Sequence, residues 1–486
     1  MGMDSCRCDP IPERRQTTLP HDHTHIRQIR ALSGMIRAEL DEMDFRPLTE
    51  AMGRTARGTS PSLLPVWRRQ RSWDAVDWGS VQHAYGPAVE VPDLLGRLRS
   101  RDREARRSAY QGLLDLLVHQ GSRYEASAVA APFLVEIVAD PKAPDRFAAC
   151  QVLAAVALGD ESSWLIDRPN VAKARREVER RAHFTRAQLE REQADWAAAG
   201  NTDHERRARA RRNEFSDVEG DRDAERWQIA AYDAVRAGVP AYLAALASSE
   251  TPVRLHAAHL LAWFPEERKS ITPALARLIG AEPQPMVAAT ASVAAGLCGS
   301  LDDPELVNAL SARLGSDNRG ERWSAVLGLA RLVSRPDRPL IEELYACLFG
   351  AVGPVPYWPF LHGDMATFAA LTVRDLDAVV APDRVQILVD RLNAPADDTD
   401  RYLLLRAALD TAFPNGPIPD GTAFTELGAD QRTAIAGLQR SGILDDGAMV
   451  SMLLGAYNLP DDQTAMTRWC DSDADRESGS APNLQA

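Results

Sequence analysis

Three groups of side chains in this chain have types and spacings that chemistry uses. Cys6 and Cys8, followed by His21, His23 and His25, gather five soft or borderline metal donors near the N-terminus. Zinc and copper accept such donors, but structural zinc sites space their cysteines as Cys-x2–4-Cys, and here a single residue separates them. The segment is expected to be an incidental tail, and no metal or other cofactor is assigned. His119, Tyr124 and Glu125 set an imidazole, a phenol and a carboxylate close together at a turn between two helical segments. General-base chemistry also needs a substrate and an orienting partner, and neither is visible. The expectation is an inter-repeat turn in which Gly121 ends a helix and Tyr124 packs into the next helix pair. Arg206, Arg207, Arg209, Arg211 and Arg212 crowd five guanidiniums into one short run. Such a run docks an acidic partner or RNA, or is a solvated helix face balanced by Glu205, Glu214 and Asp217. No phosphate-binding glycine loop, Gly-x-Ser-x-Gly elbow, His-Glu-x-x-His or EF-hand string occurs, so no catalytic residue is assigned.

The elements that position these groups emerge when the sequence is compared with itself. Residues 239–267 and 272–297 share one design: a residue followed by Pro, a short apolar helix, a turn of Ser, Glu or Pro, and a longer Ala-rich helix. Their alignment sets Val253 on Val287, an offset of 34 residues, and the next step lands on Glu321 in the helix of residues 319–332. Residues 91–117, 131–157 and 382–413 repeat the shape. Arg106, Arg146, Arg254, Arg322 and Arg401 recur near the start of the second helix. A cation there opposes the helix dipole, so each arginine must have a local partner such as a turn Asp or a carbonyl. Helix pairs this short bury their apolar sides only by stacking on their neighbours.

Composition agrees. Hydrophobic residues make up 45% and charged residues 26% of the 486, which excludes a wholly disordered chain. Aromatic residues are only 6%, the balance of helices packed through small side chains. A net charge of −13 argues against a dedicated duplex-DNA binder. The scattered cysteines, at 6, 8, 150, 298, 347 and 470, give no disulfide framework and suggest a reducing cytoplasm. No apolar signal segment opens the chain, and no apolar window is long enough to cross a membrane.

The pattern x-Pro, apolar helix, turn, then (Val/Asp)-Arg-x-x-Ala-(Ala/Cys) resembles HEAT repeats, in the form called PBS-lyase HEAT-like in high-GC bacteria. The blocks at 73–95, 119–134 and 231–267 carry the same likeness, which spans roughly residues 73–460. It implies an all-α solenoid of stacked helix pairs. Deoxyhypusine hydroxylases resemble this architecture but carry four His-Glu pairs, against the single His204-Glu205 here. Alkylpurine DNA glycosylases of the HEAT-like class hold a nucleotide with Trp, Arg and Asp, which Trp263 and Trp323 would imitate.

The expected organisation is a flexible extension over 1–72 with a short helix near 26–43, HEAT-like repeats over 73–170, a charged helical hairpin over 171–226, repeats over 227–460, and a disordered acidic tail over 461–486. The insertion holds 14 basic and 13 acidic side chains, so it is nearly neutral. In HEAT arrays the second helices line the concave side. On the helix at 252–264, Val253, Ala257, Leu261 and Phe264 form the core stripe, which leaves His256, His259 and Trp263 on the adjacent face. The counterparts of His256 and Trp263 are Ser108 and Asp115 in an earlier repeat, and Ser324 and Arg331 in a later one. These residues, with the five insertion arginines, are the expected contacts for a protein partner. The expected function is a cytoplasmic protein-interaction scaffold without cofactor. The alternatives are a HEAT-like nucleic-acid binder or DNA glycosylase, and an immunity-like protein that occludes a toxin.

Overall fold

The computed structural model describes residues 73–478 apart from 201–202, 215, 334, 352 and 395–399. The N-terminal cysteine and histidine cluster and the helix expected near 26–43 lie outside the described residues. The fold is all-α: 22 helices and two very short β-hairpins among the described residues. No described helix is long and apolar enough to cross a membrane.

Seven helix pairs follow one another. They are α1 (Val91–Arg97) with α2 (Arg103–Leu117), α3 (Glu125–Ala139) with α4 (Arg146–Leu158), α10 (Val239–Ala245) with α11 (Thr251–Leu261), α12 (Arg268–Ala281) with α13 (Pro285–Cys298), α14 (Pro304–Arg313) with α15 (Arg319–Leu332), α16 (Arg338–Gly350) with α17 (Met365–Arg374), and α18 (Arg384–Leu392) with α19 (Arg401–Ala412). The second helices pack in the order α2, α4, α11, α13, α15, α17, α19, each on the next. Between α4 and α10 the chain forms a short helix α5 (Glu161–Asp167), then α6 (Val171–Arg181), α7 (Arg186–Ala198), α8 (Asp203–Glu214) and α9 (Val218–Arg236). Helices α20 (Ala429–Ser441), α21 (Ala448–Ala456) and α22 (Gln463–Ser478) close the described chain.

The recurrent arginine has the local partners its position demands. Arg106, Arg254 and Arg322 each donate Nη1 to the carbonyl six residues earlier, of Ser100, Ser248 and Ser316, at 2.9, 2.9 and 2.8 Å. Each also reaches a carboxylate of the following pair: Asp145, Glu282 and Glu343. Arg146 donates to Val138 O, and Arg401 to Ser441 O and Asp446. One side chain thus closes its own turn and ties two pairs together. The carbonyls and carboxylates offset the unfavourable position near the helix N-terminus.

Small residues bring α13 and α15 closer than any ordinary side chain permits. A Cβ on Gly296 would stand 2.6 Å from Gly328 Cα, and one on Gly328 would stand 2.4 Å from Ser292 O. Alanine at either site gains helix propensity, about 1 kcal/mol, but the contact it meets is backbone and cannot yield. Gly328→Ala is therefore expected to lower stability by about 1–3 kcal/mol in urea denaturation, and a stabilised variant would refute the close approach.

Four expectations are corrected. The 171–226 insertion is not a two-helix hairpin. Thr185, in a capping box with Gln188, starts a separate α7, and α8 follows it. Helix α9 then crosses the expected boundary at 226, because Ala231, Tyr232 and Val235 bury against α3 and α4. Secondly, the tail is not disordered as far as Ser478. Met466 is fully buried, and Trp469 packs edge-on against Phe424 while donating to Thr422 O at 3.0 Å, which anchors α22. Thirdly, Gly121 does not end a helix. Gln120 and Gly121 both have positive φ and form the tight turn joining β3 (Val118–His119) to β4 (Ser122–Arg123), as two-residue hairpins require. The other hairpin joins β1 (Gln82–His83) to β2 (Gly86–Pro87). Finally, Pro132 and Pro273 do not open their helices as the repeat pattern implies but lie inside α3 and α12, because those helices begin at Glu125 and Arg268.

Candidate functional site

Two segments cover the face of α11 that carries the histidines. One is α5. Asp160 caps it by accepting from the backbone N–H groups of Ser162 and Ser163, both at 3.1 Å. The other is a tight turn at Phe360–Gly363, in the Pro- and Gly-rich link between α16 and α17. Leu361, His362 and Gly363 all have positive φ, at 44°, 55° and 92°. The two non-glycine residues cost on the order of 1–2 kcal/mol each in this conformation. The turn is held by the Leu361 N–H, which donates to Glu161 Oε1 at 3.0 Å, and by Phe360, which is fully buried.

A cavity of about 100 Å³ remains beneath this cover. His256, His259 and His362 line it together with Gln151, Asp160, Glu161, Asp364 and Asp400. The Gln151 amide nitrogen lies 3.3 Å from His256 Nε2, a contact that a neutral imidazole accepts. His259 Nε2 stands 3.3 Å from Glu161 Oε2 without the alignment of a hydrogen bond. Its ring meets Phe360 edge-on at 4.8 Å and Trp263 at 5.8 Å. Asp364 accepts from the backbone N–H groups of Thr367 and Asp400 at 2.8 and 2.9 Å. The chamber therefore offers imidazoles and carboxylates to several waters or one compact polar solute. Among the described residues no group of three or more His, Cys, Asp and Glu is placed to hold a metal ion.

Burial holds the His362 imidazole below its usual pKa against the pull of Glu161 and Asp160, with His259 adding to the depression. A depressed histidine stays neutral in the fold while the unfolded chain takes up a proton, so its contribution to stability is present above about 6.5 and is lost as pH falls. The stability lost between about pH 7 and 5.5 should be smaller in His362→Asn, a residue that tolerates the left-handed backbone. An unchanged pH profile in denaturant titrations would count against this.

The residues expected to face a partner fall into three groups. His256, His259, Trp263 and Ser324 are buried, at 3%, 7%, 4% and 0% exposure, and so offer no docking surface. The cover of α5 and the 360–363 turn accounts for the first three. Ser324 lies within the packed body of α15. Arg331 is also enclosed: it donates to Thr372 Oγ1 at 3.2 Å, stacks over Phe368, and stands 3.8 Å from Asp375. Asp375 also pairs with Arg168 and Arg374, so it joins three parts of the chain. Ser108 is exposed on α2, and Asp115 is half-buried, accepting from Gln111 at 2.8 Å. Burial raises the Asp115 carboxyl above its usual range, while the Gln111 hydrogen bond and His119 pull the other way.

The insertion arginines stay at the surface. Arg206, Arg207, Arg211 and Arg212 are exposed and Arg209 is partly so. Arg209 and Arg212 lie over the Trp196 ring of α7, at 4.7 and 5.8 Å from its centre, and Trp196 is 41% exposed. Arg209 also donates to Trp196 O at 2.7 Å. In the 119–125 segment, Tyr124 lies beside Trp227 of α9, His119 contacts the Tyr85 hydroxyl at 3.0 Å, and Glu125 accepts from Gln82 N. No model of a known protein family matches this chain, and no curated protein sequence matches it.

Proposed function

We propose that this chain is a HEAT-type repeat scaffold that binds a protein partner, and that the inserted helices make the contact with an acidic surface. The observation that carries the reading is the half-exposed Trp196 clasped by Arg209 and Arg212 beside three further exposed arginines. Tryptophan and arginine are the side chains that dominate protein interfaces, and here they form one patch. The succession of helix pairs tied by the recurrent arginine supports the repeat assignment. Nucleic acid is a weaker fit, because Arg168, Arg331 and Arg374 are spent on Asp375 and the chain carries −13 overall.

The test is affinity capture from the native cell with the full chain and with an Arg209→Glu/Arg212→Glu variant. A protein retained by the first, lost by the second and released by salt is the expected result. Equal retention by both, or capture of nucleic acid alone, would overturn the reading.

A further inference from the structure

Arg123 is a buried cation with no ion-pair partner among the described residues. It sits on β4, is 9% exposed, and lines a chamber of about 1060 Å³ between the 120–123 hairpin, α5, α6 and α9. Nη1 donates to Gly121 O at 2.9 Å, Nη2 lies 3.5 Å from Gln228 Oε1, and Nε has no hydrogen-bond partner among the described residues. No carboxylate among the described residues forms an ion pair with it, and Asp160 acts only from a distance. Burial consequently pulls the guanidinium down to about 10, a large displacement for a group that stays charged at neutral pH.

Burying a charge in this way is costly unless something compensates it. Four carboxylates line the chamber, and each has another engagement: Asp160 caps α5, Glu177 pairs with Arg180, Glu225 pairs with Arg181, and the exposed Asp167 stands 3.9 Å from Arg406. Of the other cations that line it, Arg168 and Arg181 are paired with Asp375 and Glu225, whereas Lys173 forms no ion pair among the described residues; the cap residue Asn170 marks the N-terminus of the 11-residue α6 at the same wall. That helix end adds partial positive charge. Gly159 leaves the guanidinium its place, since a Cβ there would lie 2.0 Å from Arg123 Nη1. On the apolar side the partly exposed Trp164 stacks on the buried Tyr232 at 5.3 Å with 16° between their planes.

We propose that this chamber binds a small molecule carrying an oxyanion, phosphate or carboxylate, on an aromatic body, with Arg123 anchoring the charge and Trp164, backed by the buried Tyr232, walling the ring. The cleft is open and wide enough to admit such a ligand, which would give Arg123 the anionic partner that no described residue supplies. The site is separate from the Trp196 patch and does not depend on it.

Isothermal titration of the full chain with phenyl phosphate, benzoate, inorganic phosphate and benzyl alcohol tests this. At least one of the two aromatic anions should bind, and which one does so separates phosphate from carboxylate. Benzyl alcohol should not bind, and inorganic phosphate should bind more weakly than the aromatic anions. Arg123→Met should weaken the anion at least about thirtyfold. Lys173→Gln, at an exposed position that folding does not need, should weaken it less and reduce its salt dependence. The proposal is overturned if neither aromatic anion saturates at millimolar concentration, if the alcohol binds as tightly, or if Lys173→Gln and a folded Arg123→Met bind as the parent does.

Discussion

Arg254→Met should unfold the middle of the array before its ends. Arg254 meets Glu282 through two parallel bonds, Nε to Oε2 at 2.9 Å and Nη2 to Oε1 at 2.8 Å, and only 3% of the Glu282 side chain is exposed. Methionine keeps the stem of the side chain and removes the charge, so the glutamate is left ionised and buried with the Gln284 N–H as its remaining polar contact. Breaking a buried pair from one side costs about 3–5 kcal/mol. The carbonyl of Ser248 loses its donor as well. In a repeat array such a loss stays local, so hydrogen exchange should accelerate in α11, α12 and α13, by roughly two orders of magnitude or more, and much less in α18 and α19. A double substitution with Glu282→Gln should recover part of the loss, because the orphaned charge is gone. Protection that falls uniformly along the chain would show that the pair ties the whole molecule and not its two repeats.

That pair also shows what was legible in the sequence. The arginine recurs at a fixed place in each repeat, and an arginine near a helix N-terminus demands a partner, so the class of partner followed from electrostatics alone. The identity of Glu282 did not, because it lies in the turn of the next repeat and only the stacking brings it near. The same distinction separates the fold from the candidate site. Helix pairs are local and periodic, and six of the seven were visible. The pair α16 and α17 was hidden, because the Pro- and Gly-rich 351–364 link interrupts its period. The 360–363 turn in that link, with α5, covers the face where His256, His259 and Trp263 were expected to meet a partner. Burial of those residues is set by contacts about a hundred residues or more away in sequence, such as Glu161 with Leu361, and no periodicity encodes them. Arg123 was missed for a related reason. A single arginine in a Gly-Ser-Arg turn reads as exposed until α9 closes over it.

Phe360→Ala should be among the most damaging single changes, and it should act on the site as much as on the fold. The ring is fully buried and lies against four others: His259 at 4.8 Å, Trp358 at 5.4 Å, Phe368 at 5.7 Å and Trp263 at 6.1 Å. Removing a buried phenyl ring costs about 3–5 kcal/mol, through lost transfer energy and the cavity left behind. Here the space opens next to a turn already held in an unfavourable backbone conformation, so Leu361 and His362 have an incentive to relax. Relaxation would break the bond from Leu361 N to Glu161, free α5, and expose His259 to water. The expected readouts are a lower urea midpoint and faster hydrogen exchange in α5 and the 355–364 link. Phe360→Leu, which keeps most of the volume, should lose far less. Benzene added to the alanine variant should restore part of the stability if the space stays dry and apolar. A loss below about 1 kcal/mol, or an alanine variant whose α5 exchanges as slowly as the parent's, would mean that Phe360 fills space without holding the cover in place.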